Sequence, residues 1–424
     1  MKIKDRSGTR PQVTRPFLSN KAVIALCTLV TVTEGYNLIV YGSIVPLLLQ
    51  DQSLSLDAQA VGLIGGIVYL GALIGVLGGT ALSDRFGRPR IMAAAVGTIA
   101  VGSALAGLST SPEMLGIARL VTGLGVGGAV TTAMTLARNH APAGRASLII
   151  TITMAGVPLG GTAAALFGMF LMPLWGWRSM FALGAITTVA ILVVLCGCRL
   201  DEPDEVKDTS ESPLQKFTGL FAGRGYLLVT FVALTSVTNM VIWLGLNVWL
   251  AQSMIALGFD LTQALLFAFS LTGAAVVGSL LAAGAADKFG PSKVTIVCTV
   301  LTLGGLLGIL YGPLSLGLAL ACVVLIGTGS ASTQNILNAV ATSAVRPASR
   351  GTILGLANSL AFVGSFLGPF FGGMAFAAGG APAIFTLFSG SAVLCLLFCI
   401  GLLFAHRAFV RNVNEPQSLA RVMP

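Results

Sequence analysis

Long apolar runs dominate this chain, separated by short polar segments. A helix needs about 20 mostly apolar residues to cross the hydrocarbon core of a bilayer. Runs of that kind fall roughly at 22–49, 58–82, 91–109, 114–138, 147–171 and 178–198, and again at 225–251, 261–285, 293–312, 315–341, 350–376 and 382–405. Polar residues do not alternate with apolar ones inside them, so the spans are expected to be helices rather than strands of a barrel. The expected fold class is an all-α membrane protein of 12 transmembrane helices. The first run is too long for a cleaved signal, contains Glu34, and reaches Pro46-Leu-Leu-Leu without a small-residue cleavage site, so it is expected to be a permanent span.

Composition strengthens this picture. Of 424 residues, 55% are apolar and 9% charged, whereas soluble domains carry about 25% charged residues. So few charges cannot cover a soluble surface, and so many apolar residues exclude disorder. The 53 glycines follow no period of three, which excludes collagen. The net charge is +9, and its placement is informative. With the N-terminus inside, every Lys and Arg except Arg119 and Arg178 falls in the N-tail, the C-tail or a loop on the same side. That asymmetry obeys the positive-inside rule and predicts both termini cytoplasmic in a multi-pass plasma (inner) membrane protein. Nucleic acid is not an expected partner, because the basic residues are dispersed rather than gathered on one face. The seven cysteines lie in apolar spans without metal-type spacing, so neither disulfides nor a metal site is expected.

The chain repeats itself. Asp84-Arg85-Phe86-Gly87 recurs as Asp287-Lys288-Phe289-Gly290, and Pro142-x-x-Arg145 recurs as Pro347-x-x-Arg350. The two offsets are nearly equal, and each pair follows the corresponding span of its half. This predicts two parallel-repeat six-helix bundles, 22–198 and 225–405, flanked by cytoplasmic tails 1–21 and 406–424 and joined by a polar linker, 199–224. Transporters built from such halves hold substrate near mid-membrane, between the repeats.

Over its whole length the sequence resembles the major facilitator superfamily. Gly79-Thr-Ala-Leu-Ser-Asp84-Arg85-Phe86-Gly87-Arg88-Pro89-Arg90 looks like that superfamily's loop 2–3 motif, with Thr80 where a glycine is usual. Arg119-x-x-x-Gly123-x-Gly125-x-Gly127 looks like its fourth-span motif. Within the superfamily, Glu34-Gly35-Tyr36-Asn37, followed by Tyr41-Gly42 and Pro46, resembles the aromatic acid:proton symporters. An amide, Asn37, stands where their pattern has a second acid. The resemblance implies that spans 1, 4, 7 and 10 surround a central cavity. It also implies that charges at the cytoplasmic span ends latch that side shut in one state. Here those would be Asp84, Arg85 and Arg88 with Gly87, together with Arg145, Asp287 and Arg350.

Three features carry candidate chemistry. Glu34 is the one acidic residue deep in a span, where a charge costs about 2.5–3.5 kcal/mol on insertion scales. It is the candidate proton carrier, the bland alternative being a structural hydrogen bond or ion pair. Glu34, Asn37 and Tyr41 lie at i, i+3 and i+7 and so share one helix face; Asn37 cannot titrate and is expected only to bind. Arg119, buried in span 4, offers a fork that fits a carboxylate. It is expected to hold an anionic substrate, to pair with Glu34, or to serve backbone carbonyls. Polar stripes at four-residue spacing, Asn239, Trp243 and Asn247 in span 7 and Ser330, Gln334 and Asn338 in span 10, suit an aromatic ligand with hydrogen-bonding groups. Interhelical hydrogen bonding is the competing explanation.

Enzyme chemistry finds no motif. There is no HExxH, no CxxC and no phosphate-binding GKS/T loop, so neither ATP-driven pumping nor a cofactor is expected. The expected function is secondary transport of a small aromatic carboxylate with protons, through alternating access, by a protein able to work as a monomer in the lipid bilayer. The alternatives are a proton-linked exporter, a carrier of another organic acid or small metabolite, and, outside transport, a membrane sensor or assembly subunit.

Overall fold

The computed structural model describes residues 18–142, 145–198, 225–312, 315–343 and 350–420, with the backbone alone at 84, 146–147, 225, 343, 350–351 and 406–420. The expected linker 199–224 and residues 1–17 of the expected N-tail lie outside the described residues. Every described regular element is a helix: α1 (Asn20–Leu48), α2 (Ala58–Phe86), α3 (Arg88–Gly107), α4 (Pro112–Asn139), α5 (Ala146–Met154), α6 (Gly156–Trp175), α7 (Arg178–Gly197), α8 (Gly225–Ala256), α9 (Leu261–Phe289), α10 (Pro291–Tyr311), α11 (Leu316–Ser343) and α12 (Arg350–Ala420). The expected span 147–171 is divided between α5 and α6, which meet at Ala155.

Among the described residues, 11 helical stretches are long and apolar enough to cross a membrane. The last, Thr352–Ala405, has 54 residues, more than twice what one crossing needs. It is broken at Gly379 and Gly380, whose backbone leaves the helical region; Gly380 has φ 64°. Glycine tolerates that positive φ because it has no Cβ. The two arms run in opposite directions along α8. In the first arm Gly364 meets Val237, Gly368 meets Val241 and Gly372 meets Trp249. In the second, Phe388 meets Gly245 and Phe231 meets Gly401. The chain therefore reverses at the glycine pair, between the expected spans 350–376 and 382–405.

Small residues let the helices approach closely, as expected in lipid, where packing rather than hydrophobicity drives association. The same pairings appear in both parts of the chain. Gly35 of α1 lies against Val157 of α6, as Gly364 of α12 lies against Val237 of α8. Gly71 and Gly75 of α2 lie against Leu120 and Leu124 of α4, as Leu271 of α9 lies against Gly327 of α11. Gly102 of α3 meets Thr122 of α4, as Thr302 of α10 meets Gly329 of α11.

The loops alternate between two ends of the bundle, one marked by Gly87 and Gly290, the other by Asp51 and Trp177. The close approaches between the first seven helices and the remainder lie from mid-bundle toward the Asp51 end. Gly42 of α1 packs on Asn247 and Val248 of α8; Gly62 and Gly66 of α2 pack on Pro369, Gly373 and Phe366 of α12; Thr162 of α6 donates to Thr272 of α9 at 3.0 Å. Toward the Gly87 end, a Cβ added at Gly78 of α2, Gly284 of α9 or Gly355 of α12 would meet nothing within 4 Å. Among the described residues, the close glycine approaches between the first seven helices and the rest therefore lie from mid-bundle toward the Asp51 end.

Candidate functional site

Helix α1 carries the centre of the site. Glu34 lies near its middle, 2% exposed, and Oε2 has no hydrogen-bond partner. Gly35 allows the α6 backbone to press against this turn. A buried polar atom without a partner costs about 1–3 kcal/mol, more if charged, so a carboxyl left in that condition calls for an explanation.

The residues expected on the same face are turned into neighbouring helices. Asn37 donates from Nδ2 to the Thr33 carbonyl at 2.8 Å and to the Thr188 hydroxyl of α7 at 3.1 Å. Its Oδ1 is buried without a partner, close to Gly184 of α7. The Tyr41 hydroxyl donates to the Val61 carbonyl of α2 at 3.0 Å, and its ring lies under Arg119, 5.1 Å from guanidinium carbon to ring centroid.

Arg119 is 1% exposed and spends its fork on α1: Nη1 donates to the Asn37 carbonyl at 2.6 Å and Nη2 to the Leu38 carbonyl at 3.0 Å. Of its three expected roles, the structure shows the service to backbone carbonyls. Its Nε remains without a partner. Tyr69 of α2 lies buried within electrostatic reach of the same guanidinium.

The stripes of α8 and α11 meet each other. Asn239 donates to the Ser330 carbonyl at 3.0 Å, and the Ser330 hydroxyl returns a bond to Asn239 Oδ1 at 3.2 Å. Gln334 donates to the Ser236 hydroxyl at 3.0 Å, and Ser236 also reaches the Ala357 carbonyl of α12 at 3.3 Å. Asn247 donates to the Trp243 carbonyl at 2.7 Å, within its own helix. Trp243, Gln334 and Asn338 are half-buried, and Asn338 Oδ1 has no partner. Thr188, Tyr69 and Ser236 had no sequence signal, since each is an ordinary polar residue in an apolar span whose partner lies on another helix.

The repeated loop motif occupies the Gly87 end. Gly87 and Gly290 adopt φ 87° and 92°, ending α2 and α9 and letting Pro89 and Pro291 open α3 and α10. Arg85 lies over Phe86 and Lys288 over Phe289, each 5.3 Å from the ring centroid. Arg88 opens α3, exposed Arg145 precedes α5, and Asp287 is exposed near the end of α9. Asp84 and Arg350 are helical in backbone, and their side chains lie outside the described residues.

The other unexpected arginine has a partner at the opposite end. Arg178 donates to Asp51 at 3.2 Å and to the Ser109 carbonyl at 3.2 Å, and stacks over Trp177 at 4.3 Å. Hydrogen bonds from the Ser53 hydroxyl, then from the Trp177 indole, and the Arg178 guanidinium hold the Asp51 carboxyl down to about 2. Asp51, Trp177 and Arg178 border an open cavity of about 270 Å³ with Gln50 and Trp175 on its wall. They tie three loops of the N-terminal helices together. Among the described residues no group of three His, Cys, Asp or Glu side chains is arranged to hold a metal.

Comparison with known proteins adds a family. The model described as Major Facilitator Superfamily matches residues 27–369 and 268–421. The gentisate transporter of Corynebacterium glutamicum is 29% identical over 374 residues, covering 86% of this chain and 83% of that one. The benzoate transport protein of Acinetobacter baylyi is 27% identical over 389 residues, covering 82% and 81%. Among solved structures, an inward-facing, unoccupied bacterial homologue of the human lysosomal transporter Spinster superposes with TM-score 0.75 at 18% identity, covering 92% of this chain and 98% of that one. A D-xylose–proton symporter superposes with TM-score 0.72 at 20% identity, covering 89% and 96%. At those identities the structures share the fold alone.

Proposed function

We infer the function from one premise: this chain belongs to the major facilitator superfamily. It is a multi-pass membrane transporter, not an enzyme, and it carries a small aromatic carboxylate together with protons by alternating access. The relatives named as gentisate and benzoate transporters support the substrate class. The observation that carries the coupling is Glu34, a carboxyl buried in mid-span with one oxygen unpartnered. We assign Glu34 as the proton-carrying residue.

Side chains that are fully buried and hydrogen-bonded cannot touch substrate in this state. We therefore assign Arg119, Asn37, Tyr41 and Asn239 to holding α1, α4, α8 and α11 in place. Substrate contact goes to the half-buried Trp243, Gln334 and Asn338, with Asn247 behind them. A tryptophan face beside amides suits a ring bearing a carboxylate and hydroxyls.

We take the two arms of α12 as separate spans, which makes twelve, in two parallel repeats of six joined by the linker 199–224. The helix pairings shared by both parts support that layout. We place the basic Gly87 end, and with it both termini, on the cytoplasmic side of a plasma membrane by the positive-inside rule; on that placement the contacts at the Asp51 end support an inward-open state. Asp84, Arg85, Gly87, Arg88, Arg145, Asp287 and Arg350 then lie where the cytoplasmic side must close. Each chain contains one pathway, so a monomer suffices.

The test is uptake of labelled gentisate and benzoate by proteoliposomes under an inward proton gradient, corrected for empty vesicles. Accumulation abolished by a protonophore is expected. Protein-dependent uptake that never exceeds equilibrium would refute proton coupling.

A further inference from the structure

Within the described spans Glu34 is the one acidic side chain buried away from a helix end. Asp57 and Asp260 cap α2 and α9, Glu113 lies in the first turn of α4, Asp287 ends α9, and Asp51 is in a loop. Asp84, with its side chain outside the described residues, is two residues from the end of α2. His140 caps α4 at the Gly87 end, its ring against the Leu136 carbonyl at 2.9 Å.

Among the described residues no helix packed on α1 adds a second titrating group at the depth of Glu34; α3 has only Arg88 and Arg90, both at its start. Helix α4 brings Arg119, which keeps its proton and spends its fork on carbonyls. Helix α2 brings Tyr69, and α1 itself Tyr36 and Tyr41, phenols that hold their protons at neutral pH. Helices α5 and α6 carry no titratable residue. Helix α7 has Arg178 at its start and Cys196 at its end; α8 has Tyr226 at its start; α9 has Asp287 and Lys288 at its end. One turn along from Glu34 stands Asn37, an amide tied to Thr188.

We propose that Asn37 sets the coupling ratio of this carrier at one proton per aromatic monoanion, making transport electroneutral. This rests on the proton-coupled reading above. Glu34 takes one proton from outside, the monoanion binds, both cross, and both leave inside. The loaded carrier holds a neutral Glu34 and one substrate carboxylate, whereas the empty carrier holds an ionised Glu34. Each crossing therefore moves the same protein-bound charge, and the cycle transfers none. A second carboxyl at position 37 would add a second proton and one net positive charge per cycle.

The experiment uses full-length protein in proteoliposomes with labelled gentisate, reading protein-dependent initial rates above empty vesicles. Substrate uptake and proton uptake are counted in parallel, and valinomycin with potassium sets the potential independently of pH. The expected result is one proton per gentisate, tenfold driving per pH unit, and no response to an inside-negative potential of about 120 mV, worth about 100-fold per charge. Two protons per gentisate, or accumulation driven by potential alone, would overturn the ratio and leave proton coupling standing. Uptake without proton movement would overturn the coupling reading itself, and the ratio with it. Asn37→Asp is expected to gain potential-driven accumulation; a variant that transports yet ignores the potential would overturn position 37 as the determinant.

Discussion

The contact between α1 and α8 at Gly42 gives a quantitative handle on alternating access. A Cβ at this position would lie 2.7 Å from the Asn247 carbonyl carbon and 2.9 Å from Val248 Cα, with the Asn247 oxygen nearer still. Ordinary Cβ contacts begin at 3.4 Å, so Gly42→Ala requires the helices to separate by at least 0.7 Å, the difference between 3.4 and 2.7. The obstructing atoms are backbone and cannot rotate away. Overpacking of this kind costs about 1–3 kcal/mol. That cost falls on the state in which the Asp51 end is closed, because opening that end removes the contact. The equilibrium should shift toward the state open at the Asp51 end by about 5–150-fold. Spin labels at Gln52→Cys and Ala256→Cys, with exposed Cys196 replaced by Ser, read the separation of the two parts at this end by pulsed electron resonance. Gly42→Ala should raise the long-distance population; Gly78→Ala, which adds a Cβ into open space, should not. A folded Gly42→Ala protein with an unchanged distance distribution would show that the Gly42 contact does not hold the Asp51 end closed.

Other perturbations separate the roles assigned above. Glu34→Gln should abolish accumulation driven by a proton gradient while leaving labelled-gentisate counterflow measurable; retained accumulation would remove Glu34 as the proton carrier. Arg119→Lys should lower the melting temperature, because an ammonium cannot serve both the Asn37 and Leu38 carbonyls in the fork geometry, and hydrogen bonds from a charged donor are worth about 1.5–3 kcal/mol each. Asp51→Asn should lower the melting temperature by a similar amount at every pH from 5 to 8. The folded-state pKa of Asp51 is depressed from 3.8 to about 2, so its contribution is fully present above the ordinary value and fades only as pH falls toward 2. A stabilising contribution that vanished between pH 7 and 5, followed by thermal melts, would contradict that placement.

Most of the helices were legible because a span must be apolar over its whole length, and polar loops interrupt that pattern. The junction at Ala155 was not, since the apolar run continues straight through Gly156 and Pro158. Helix α3 begins at Arg88, three residues before its apolar run, because Gly87 supplies a positive φ and Pro89 fits the first turn. The candidate site was legible as a set of residue types and much less as a set of partners. Four-residue spacing places Asn239 and Gln334 on polar faces, yet the same spacing serves a face that lines a cavity and one that bonds to another helix. Ser330 belongs to the stripe of α11, but its pairing with Asn239 was beyond the reach of periodicity, and Ser236 of α8, the partner of Gln334, lay outside any stripe. Arg119 shows the limit most clearly: its acceptors are backbone carbonyls, which every residue possesses. Charge asymmetry marked Arg178 as exceptional, and only folding brings Asp51 and Ser109 to it.

Proton coupling through Glu34 is tested most simply by gentisate accumulation in proteoliposomes of the purified protein under an imposed inward proton gradient, measured beside Glu34→Gln and empty vesicles. Uphill, protonophore-sensitive accumulation is expected of the unmodified protein, and none above empty vesicles of the variant. Equal accumulation by both would contradict proton coupling through Glu34.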